Sequence, residues 1–244
     1  MTPVSPQEHA QAAAELIAFA LRRVRPGREG DYQQLLDRYS TDLSFRELTQ
    51  CISKGLGLDV LAVTRGGLVL SPTVDSVFAS KLIDMRNTGM DADDRLVAGL
   101  ALLGIAAYAY PNSVDFDDPD ARTVDIAGID AFIRAAAHSL PAPTPESTES
   151  IVSARRAADV YLDWPDYVPT AAGGRYKRGC TYRALEEVLS WLESQGMARP
   201  QPALGPNTHQ LTDRFRVLVA DEASNTAYEA LAAVRRSLPT ETTS

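Results

Sequence analysis

The stretch TYRALEEVLSWLESQGMARPQPALGPNTHQLTDRFRVLV, residues 181 to 219, decides the predicted fold of the chain. Its first half predicts a helix over residues 181–196, because apolar residues recur at the spacing of one helix face. The residues of that apolar face are Leu185, Val188, Leu189 and Leu192. Gly196 then ends the helix, since glycine is favoured at the position that follows the last helical residue.

The second half of this stretch predicts a β-hairpin. A strand begins near Met197, and the sequence GPN at residues 205–207 supplies the turn. Phe215, Val217 and Val219 then alternate with other residues, which is the period of a second strand. The predicted order is therefore a helix followed by a hairpin.

The segment GGRYKRGC, residues 173–180, precedes the helix and raises the choice between a nucleotide site and a nucleic-acid contact. Gly174 and Gly179 have the spacing of a phosphate-binding loop, but Cys180 stands where such a loop needs a lysine. The residues before the segment do not form a buried apolar strand. We therefore reject a nucleotide site and predict no cofactor.

The same segment places cations before the start of a helix, where backbone N–H groups favour anions. Thr181 is the predicted N-cap, and Arg183 lies in the first turn. The hairpin tip supplies a second predicted contact. The predicted DNA-backbone contacts are Arg175, Lys177, Arg178, Thr181, Arg183, Asn207 and Arg214. The alternatives are a basic loop that binds an acidic protein partner and a solvated loop that binds nothing.

The N-terminal half shows a related order. Ser44 and Glu47 form a capping-box signature at the start of a predicted helix. The sequence RGG at residues 65–67 then predicts the tight turn of a hairpin between two short β-prone runs. The other predicted helices cover residues 7–25, 29–40, 74–85, 91–110, 125–139, 149–162 and 222–237.

The segment LPAPTPESTES, residues 140–150, predicts a linker because it combines three prolines with serine, threonine and glutamate. It divides the chain into an N-terminal domain over residues 1–140, a linker over 141–150 and a C-terminal domain over 151–244. The predicted fold class is mainly α with small β-hairpin wings, in two winged-helix-like domains.

Charge is unevenly distributed along the 244 residues, whose formal net charge is −8. Residues 91–130 carry a net charge of −7, and residues 175–216 carry +3. A free-standing DNA-binding protein is usually basic overall. Any DNA contact is therefore expected through a limited patch or with the help of a partner. No apolar run is long enough for a membrane span and no secretion signal is seen, so we expect a cytoplasmic protein without membrane contact.

No group of residues predicts a catalytic or metal site. The acidic run DFDDPD, residues 115–120, fails as a calcium loop because Pro119 and Ile126 occupy ligand positions. The two cysteines and three histidines lack ligand or nucleophile spacing. Aromatic residues flank prolines in VYLDWPDYVP, residues 160–169, where packing on the preceding helix is preferred over a partner contact. We expect no enzyme activity.

In the order of its elements the chain resembles a tandem winged-helix protein. The resemblance is carried by SFRELTQCISKGLGLDVLAVTRGGLVLSP, residues 44–72, and by the stretch from residue 181 to 219. With its acidic charge and length, the chain is similar to the small accessory subunits of bacterial SMC-kleisin complexes, the MukE, MksE and ScpB groups. That resemblance implies a dimer that binds a kleisin-like protein and assists chromosome organisation or plasmid defence.

The expected function is therefore that of a non-catalytic winged-helix interaction subunit in a DNA-associated complex. Its expected partners are the DNA backbone, a protein such as a kleisin-like subunit, and a second copy in a homodimer. The alternative is a dimeric winged-helix transcriptional regulator that binds a specific operator. Helices at either terminus, over residues 7–25 or 222–237, would supply the dimer contact of such a regulator.

Overall fold

The computed structural model describes residues 5–28, 30–86, 89–140, 142, 149–170, 176–222 and 226–237. These residues form nine α-helices and five strands, and the strands make two small antiparallel sheets. The predicted class, mainly helical with small β-hairpins, is confirmed at that level.

The chain divides into two compact units. The first comprises residues 1–80 and 213–218, and the second comprises residues 81–212 and 219–244. The sequence instead places a boundary within residues 141–150, most of which lie outside the described residues. The helices on both sides of that segment pack against each other, as described below, so they share the second unit.

The first unit contains three helices followed by a hairpin. Its elements are α1 (Pro6–Leu21), α2 (Gly30–Thr41), α3 (Leu43–Gly55), β1 (Leu58–Thr64) and β2 (Gly67–Pro72). The strands pair antiparallel around a turn at Arg65 and Gly66, with a bulge between Val60 and Ala62. The RGG turn that the sequence predicts is confirmed.

The core of the first unit lies between α1, α2, α3 and the hairpin. Leu16, Leu36, Phe45 and Leu70 are among its fully or almost fully buried members. Tyr32 is also buried, and its hydroxyl accepts a hydrogen bond of 2.8 Å from the backbone N–H of Leu68. This bond ties α2 to the outer edge of β2, so the hairpin is held against the helices.

Two local predictions in the first unit are wrong. Asp42 caps α3, because its carboxylate accepts from the backbone N–H of Phe45 at 3.1 Å, and Ser44 lies inside the helix. Residues 74–81 are not helical, and only a 3₁₀ turn forms at Leu82–Met85. In that segment the Ser76 hydroxyl accepts from the backbone N–H of Phe78, which competes with helical bonding.

The second unit contains five helices, a three-stranded sheet and the end of a sixth helix, α8 (Asp213–Asp221). Its elements are α4 (Ala92–Ala109), β3 (Thr123–Asp125), α5 (Ile126–Ser139), α6 (Glu149–Asp163), α7 (Thr181–Ser194), β4 (Ala198–Pro200), β5 (Thr208–Leu211) and α9 (Thr226–Ser237). The strand order is β3-β5-β4, and both pairings are antiparallel. The hairpin β4–β5 thus gains a third strand from the segment before α5.

The helix α4 forms the centre of the second unit. It packs against α5, α6, α7 and α9, which explains why it is apolar on nearly every face. Its N-cap is Asp91, whose side chain accepts from the backbone N–H of Asp94 at 2.7 Å. The predicted apolar face of α7 is confirmed, since Leu185, Val188, Leu189 and Leu192 are completely buried.

The predicted strand over residues 215–219 is wrong, because α8 (Asp213–Asp221) is a helix. Phe215 and Val219 are buried, whereas Val217 is only half-buried. Buried residues four apart follow the period of a helix, and a strand would have buried all three. The second strand of the C-terminal hairpin is β5, which lies before α8 in the sequence.

Candidate interaction surface

The loop that leads into α7 is held by its own backbone. The N–H of Thr181 donates to the carbonyl of Pro165 at 3.0 Å, and the N–H of Tyr182 donates to that of Asp166 at 3.1 Å. The N–H of Lys177 donates to the carbonyl of Val168 at 2.8 Å. The predicted anion site at the start of α7 is therefore wrong for these first two N–H groups, because protein carbonyls already occupy them.

A buried carboxylate fixes the first residue of α7. Asp130 of α5 accepts from the hydroxyl of Thr181 at 2.6 Å and from that of Tyr161 at 2.7 Å. Its second oxygen accepts from Nε of Arg134 at 2.9 Å. Burial, and then the Asp130 charge, raise the pKa of Tyr161 well above its usual value. Thr181 is thus a buried structural residue, and its predicted roles as N-cap and phosphate contact are wrong.

Three tyrosines gather where this loop meets α7, and we call Tyr167, Tyr176 and Tyr182 the tyrosine surface. Their ring centroids lie 5.3 to 6.0 Å apart, and every pair is arranged edge to face. This is the preferred geometry for aromatic pairs. Tyr167 is 54% exposed, and the other two are half-buried. The surface therefore offers rigid aromatic area to the outside.

The tip of the β4–β5 hairpin reaches the tyrosine surface. The side-chain amide of Asn207 donates to the hydroxyl of Tyr176 at 2.7 Å. Asn207 has a φ of +61°, a left-handed conformation that asparagine tolerates better than most residues. The structure therefore joins Asn207 to the loop before α7 through Tyr176, a contact that the sequence analysis does not predict.

The predicted cations differ in their exposure and in their ion pairs. Lys177 and Arg178 are exposed in the turn before α7. Arg175 lies outside the described residues. Arg183 is bound by two carboxylates of its own helix, Glu187 at 2.7 Å and Glu186 at 2.6 Å. Its predicted phosphate contact stays a prediction, and such a contact would compete with these two carboxylates.

A further ion pair extends this charge network. The guanidinium of Arg86, which is almost fully buried, contacts Glu187 and Asp94 at 2.5 Å each. The arginine connects the loop before α4 to α7, so Glu187 is shared between two cations. The residues of α7 that are not buried carry three carboxylates, Glu186, Glu187 and Glu193, against one cation, Arg183. A helix with this net negative charge would be repelled by a DNA groove.

Arg214 does not belong to this surface. It lies at the start of α8, in the part of that helix assigned to the first unit. Burial, followed by the nearby charge of Arg23, lowers the pKa of the Arg214 guanidinium. Its predicted contact assumes a strand over residues 215–219, and that segment is helical.

The tyrosine surface is surrounded by charged residues of both signs, whereas a polyanion site would be mainly positive. Burial, and to a smaller extent Glu186, raise the pKa of Tyr176. Burial, followed by Asp130 and Asp166, raises the pKa of Tyr182. Among the described residues of the loop and the first two turns of α7, the charged side chains are Lys177, Arg178, Arg183, Asp166, Glu186 and Glu187, three of each sign. Arg175, which lies outside the described residues, adds a fourth cation to this loop.

Sequence reasoning assigns Tyr161 and Tyr167 to packing on the preceding helix. Tyr161 is buried as predicted, but Tyr167 is exposed, so the same argument gives one right and one wrong answer. The alternation of prolines and aromatics in residues 160–169 was the available signal. That pattern does not show which ring points outward. The other two tyrosines of the surface, Tyr176 and Tyr182, lie outside residues 160–169 and join Tyr167 only in the folded chain.

The described part of the chain contains neither a metal-ligand cluster nor a membrane-spanning helix. No three side chains of histidine, cysteine, aspartate or glutamate come together there to hold a metal ion. Within the same residues, no helix is both long and apolar enough to cross a membrane. The sequence matches no protein-family model, and neither a curated protein nor a solved structure matches it.

Proposed function

We propose that the chain is a non-catalytic interaction subunit of a DNA-associated complex, and that it binds a protein partner through the tyrosine surface. The tyrosine surface is the observation that carries this proposal. Protein interfaces are enriched in tyrosine and arginine at their centres, and their energetic hot spots are often rigid aromatic residues. A rim that carries charges of both signs suits a protein partner better than a polyanion.

The order of the elements supports a winged-helix assignment for both units. In the first unit α1, α2 and α3 are followed by the hairpin β1–β2. In the second unit α7 is followed by the hairpin β4–β5, and β3 adds a strand to it before α5. In both orders a helix is followed directly by a β-hairpin, as expected for a winged helix of the kind that the sequence resembles.

Direct contact with DNA is the second candidate, and one observation favours it. Lys177 and Arg178 are exposed next to the hairpin tip, where a wing and a turn would meet a phosphate backbone. The acidic outward face of α7 restricts such contact to the turn. We therefore expect DNA binding, if the free chain binds DNA, to be weak and without base readout by α7.

One experiment with two arms tests the proposal. In the first arm, tagged full-length chain and Tyr167→Ala are recovered from their native cells after cross-linking, and co-purifying proteins are quantified by mass spectrometry. We expect an SMC-type or kleisin-type protein with the wild type and at least a tenfold lower recovery with Tyr167→Ala. Phe78→Ala is the matched control, because Phe78 is an exposed aromatic of the first unit.

In the second arm, DNA affinity is measured by fluorescence anisotropy across a salt series. If Lys177 and Arg178 contact phosphates, replacing both by glutamine reduces the slope of log K against log salt by about 0.9 for each contact. Arg22→Gln, an exposed cation of the first unit, leaves the slope unchanged. Equal partner recovery with Tyr167→Ala, together with a steep salt slope that depends on Lys177 and Arg178, would replace the protein-partner proposal by the DNA candidate.

A further inference from the structure

The first unit carries an open cavity beside the strand β1. Its volume is about 320 Å³, and it is lined by Tyr39, Ser40, Arg46, Gln50, Val60, Leu61, Ala62 and Val63. The last four residues are consecutive. Because successive side chains of a strand point to opposite faces, four consecutive lining residues mean that the cavity runs along the backbone edge of β1.

That edge of β1 has no strand neighbour among the described residues, since the sheet contains only β1 and β2. The direction of its backbone groups follows from the register. Val63 lies opposite Leu68, and the N–H of Leu68 points away from β1 to the hydroxyl of Tyr32. In an antiparallel pair, two opposite residues direct their N–H and C=O groups either both toward the other strand or both away from it. Because Leu68 points away from β1, Val63 also directs its N–H and C=O away from β2.

Over residues 60–63 this edge is not protected by charge, although the exposed Asp59 precedes them in β1. Exposed sheet edges usually carry lysine, proline or inward charges that prevent a further strand from pairing. Val60, Leu61, Ala62 and Val63 have none of these, although the bulge at Leu61 limits the ladder to a short segment. Val63 is 40% exposed. A short strand therefore has both backbone groups and apolar contacts available.

Charge identifies what such a strand would carry. Of the residues that line the cavity, only Arg46 is charged. Its guanidinium donates to the carbonyls of Tyr39 at 3.0 Å and Ser40 at 2.6 Å, and these are neutral acceptors. No ion pair between Arg46 and a carboxylate is found in the described part of the chain. Its positive charge is thus held at the cavity by the α2–α3 junction without being neutralised.

We infer that this cavity binds an extended, acidic peptide segment of a protein partner, which adds as a strand to the outer edge of β1 and places a carboxylate on Arg46. Backbone pairing with Val63 gives affinity without regard to sequence. The charge-assisted bond to Arg46 selects a carboxylate side chain. The site lies in the first unit, so it does not depend on the tyrosine surface of the second.

The probe is a fluorescently labelled five-residue peptide with blocked termini, in which threonine and valine flank a central glutamate on each side. A control peptide is identical except that glutamine replaces the glutamate. Binding to the full chain is measured by anisotropy. We expect the glutamate peptide to bind about tenfold more tightly than the glutamine peptide. With Arg46→Gln this preference disappears, whereas Arg22→Gln retains it, because Arg22 lies outside the cavity.

Methylation of the peptide backbone tests the strand geometry without altering the protein. Amide groups alternate between the two edges of an extended peptide. Methylating the amides of one edge is therefore expected to abolish binding, and methylating those of the other edge is expected to leave it within about threefold. In parallel, the peptide slows hydrogen exchange of the Val63 amide.

Three results would overturn the inference. They are no binding at millimolar peptide, equal binding of the glutamate and glutamine peptides to the wild type, and equal loss with either set of methyl groups. None of them bears on the recovery of a partner by the tyrosine surface, so this site and the proposed function fail or succeed separately.

Discussion

At the scale of single residues, Asp130 explains most of how the interaction surface is positioned. It is 5% exposed and accepts hydrogen bonds from Tyr161 of α6, Thr181 of α7 and Arg134 of its own helix. Arg134 in turn donates to the carbonyl of Trp164 at 3.1 Å. One buried carboxylate therefore connects three helices with the start of the loop that carries Tyr167.

Replacing Asp130 by alanine is expected to lower the free energy of unfolding by about 2–5 kcal/mol, because two buried hydroxyls lose their acceptor and the partly exposed Arg134 loses its ion-pair partner. The measurement is urea denaturation followed by circular dichroism. Asp159→Ala is the control. Asp159 pairs with Arg155 on an exposed helix face, and loss of such a pair costs about 0.5 kcal/mol. Similar losses for the two variants would show that the Asp130 network does not stabilise the unit.

The Asp130 network could not be predicted from the sequence. Its partners lie 31 and 51 positions away along the chain, so no local spacing reports them. The opposite holds for Arg183. A cation in the first turn of a helix looks available for phosphate, but Glu186 and Glu187 lie three and four residues further on, where side chains of a helix meet. In that case the pattern was present and indicated a neutralised arginine.

At the scale of elements, periodicity predicted the long helices and the first hairpin because each of them buries one face. It failed over residues 215–219, where a spacing of two also contains a spacing of four. Phe215 and Val219 satisfy both periods, and only tertiary burial decides between them. It also failed over residues 74–81, where Val74 and Val77 are almost fully exposed and bury no face.

Close approach of α4 and α5 depends on one glycine. A Cβ atom added to Gly104 would lie 2.5 Å from Cγ1 and Cδ1 of Ile133, which is completely buried and therefore has no room to move. Gly104→Ala is expected to be destabilising, by about 1–3 kcal/mol for the overpacking, although alanine favours helix formation by about 1 kcal/mol. Urea denaturation measures the difference.

Two variants make this prediction specific. Combined with Ile133→Ala, Gly104→Ala is expected to become neutral or stabilising, since the clashing atoms are gone. Gly55→Ala at the end of α3 is the matched control. No atom lies within 4 Å of its added Cβ, so it is expected to stabilise the protein by about 0.4–1 kcal/mol. Additive effects of the two substitutions in α4 and α5 would exclude the steric explanation.

At the scale of the whole molecule, buried tyrosines govern how stability depends on alkaline pH. Burial raises the pKa of Tyr228 on α9 to about 12, and its hydroxyl donates to the backbone carbonyl of Tyr110. Burial likewise raises the pKa of Tyr32 in the first unit. In each case the folded protein retains a proton that the unfolded chain loses near pH 10.

The sign of the effect follows from linkage. A group whose pKa is higher in the folded state stabilises the fold fully below its unfolded pKa, and that contribution is lost as the pH rises through the folded value. For Tyr228 the window runs from about pH 10 to about pH 12. The free energy of unfolding is therefore expected to be flat from pH 8 to 9.5 with respect to this group and to fall steeply above it.

Tyr228→Phe separates this contribution from the general repulsion of an acidic chain at high pH. Phenylalanine cannot ionise, so the variant is expected to lose less stability between pH 10 and pH 12 than the wild type. At pH 8 it is expected to be less stable by about 1 kcal/mol, because the carbonyl of Tyr110 loses a donor. The two curves then converge as the pH rises.

Tyr167→Phe, at an exposed position, should run parallel to the wild type, and so repulsion shared by all variants cancels. Urea denaturation at a series of pH values measures both slopes. A Tyr228→Phe curve parallel to the wild type would mean that this phenol titrates alike in the folded and unfolded chains, and the alkaline loss would then come from net charge and from the other tyrosines with raised pKa.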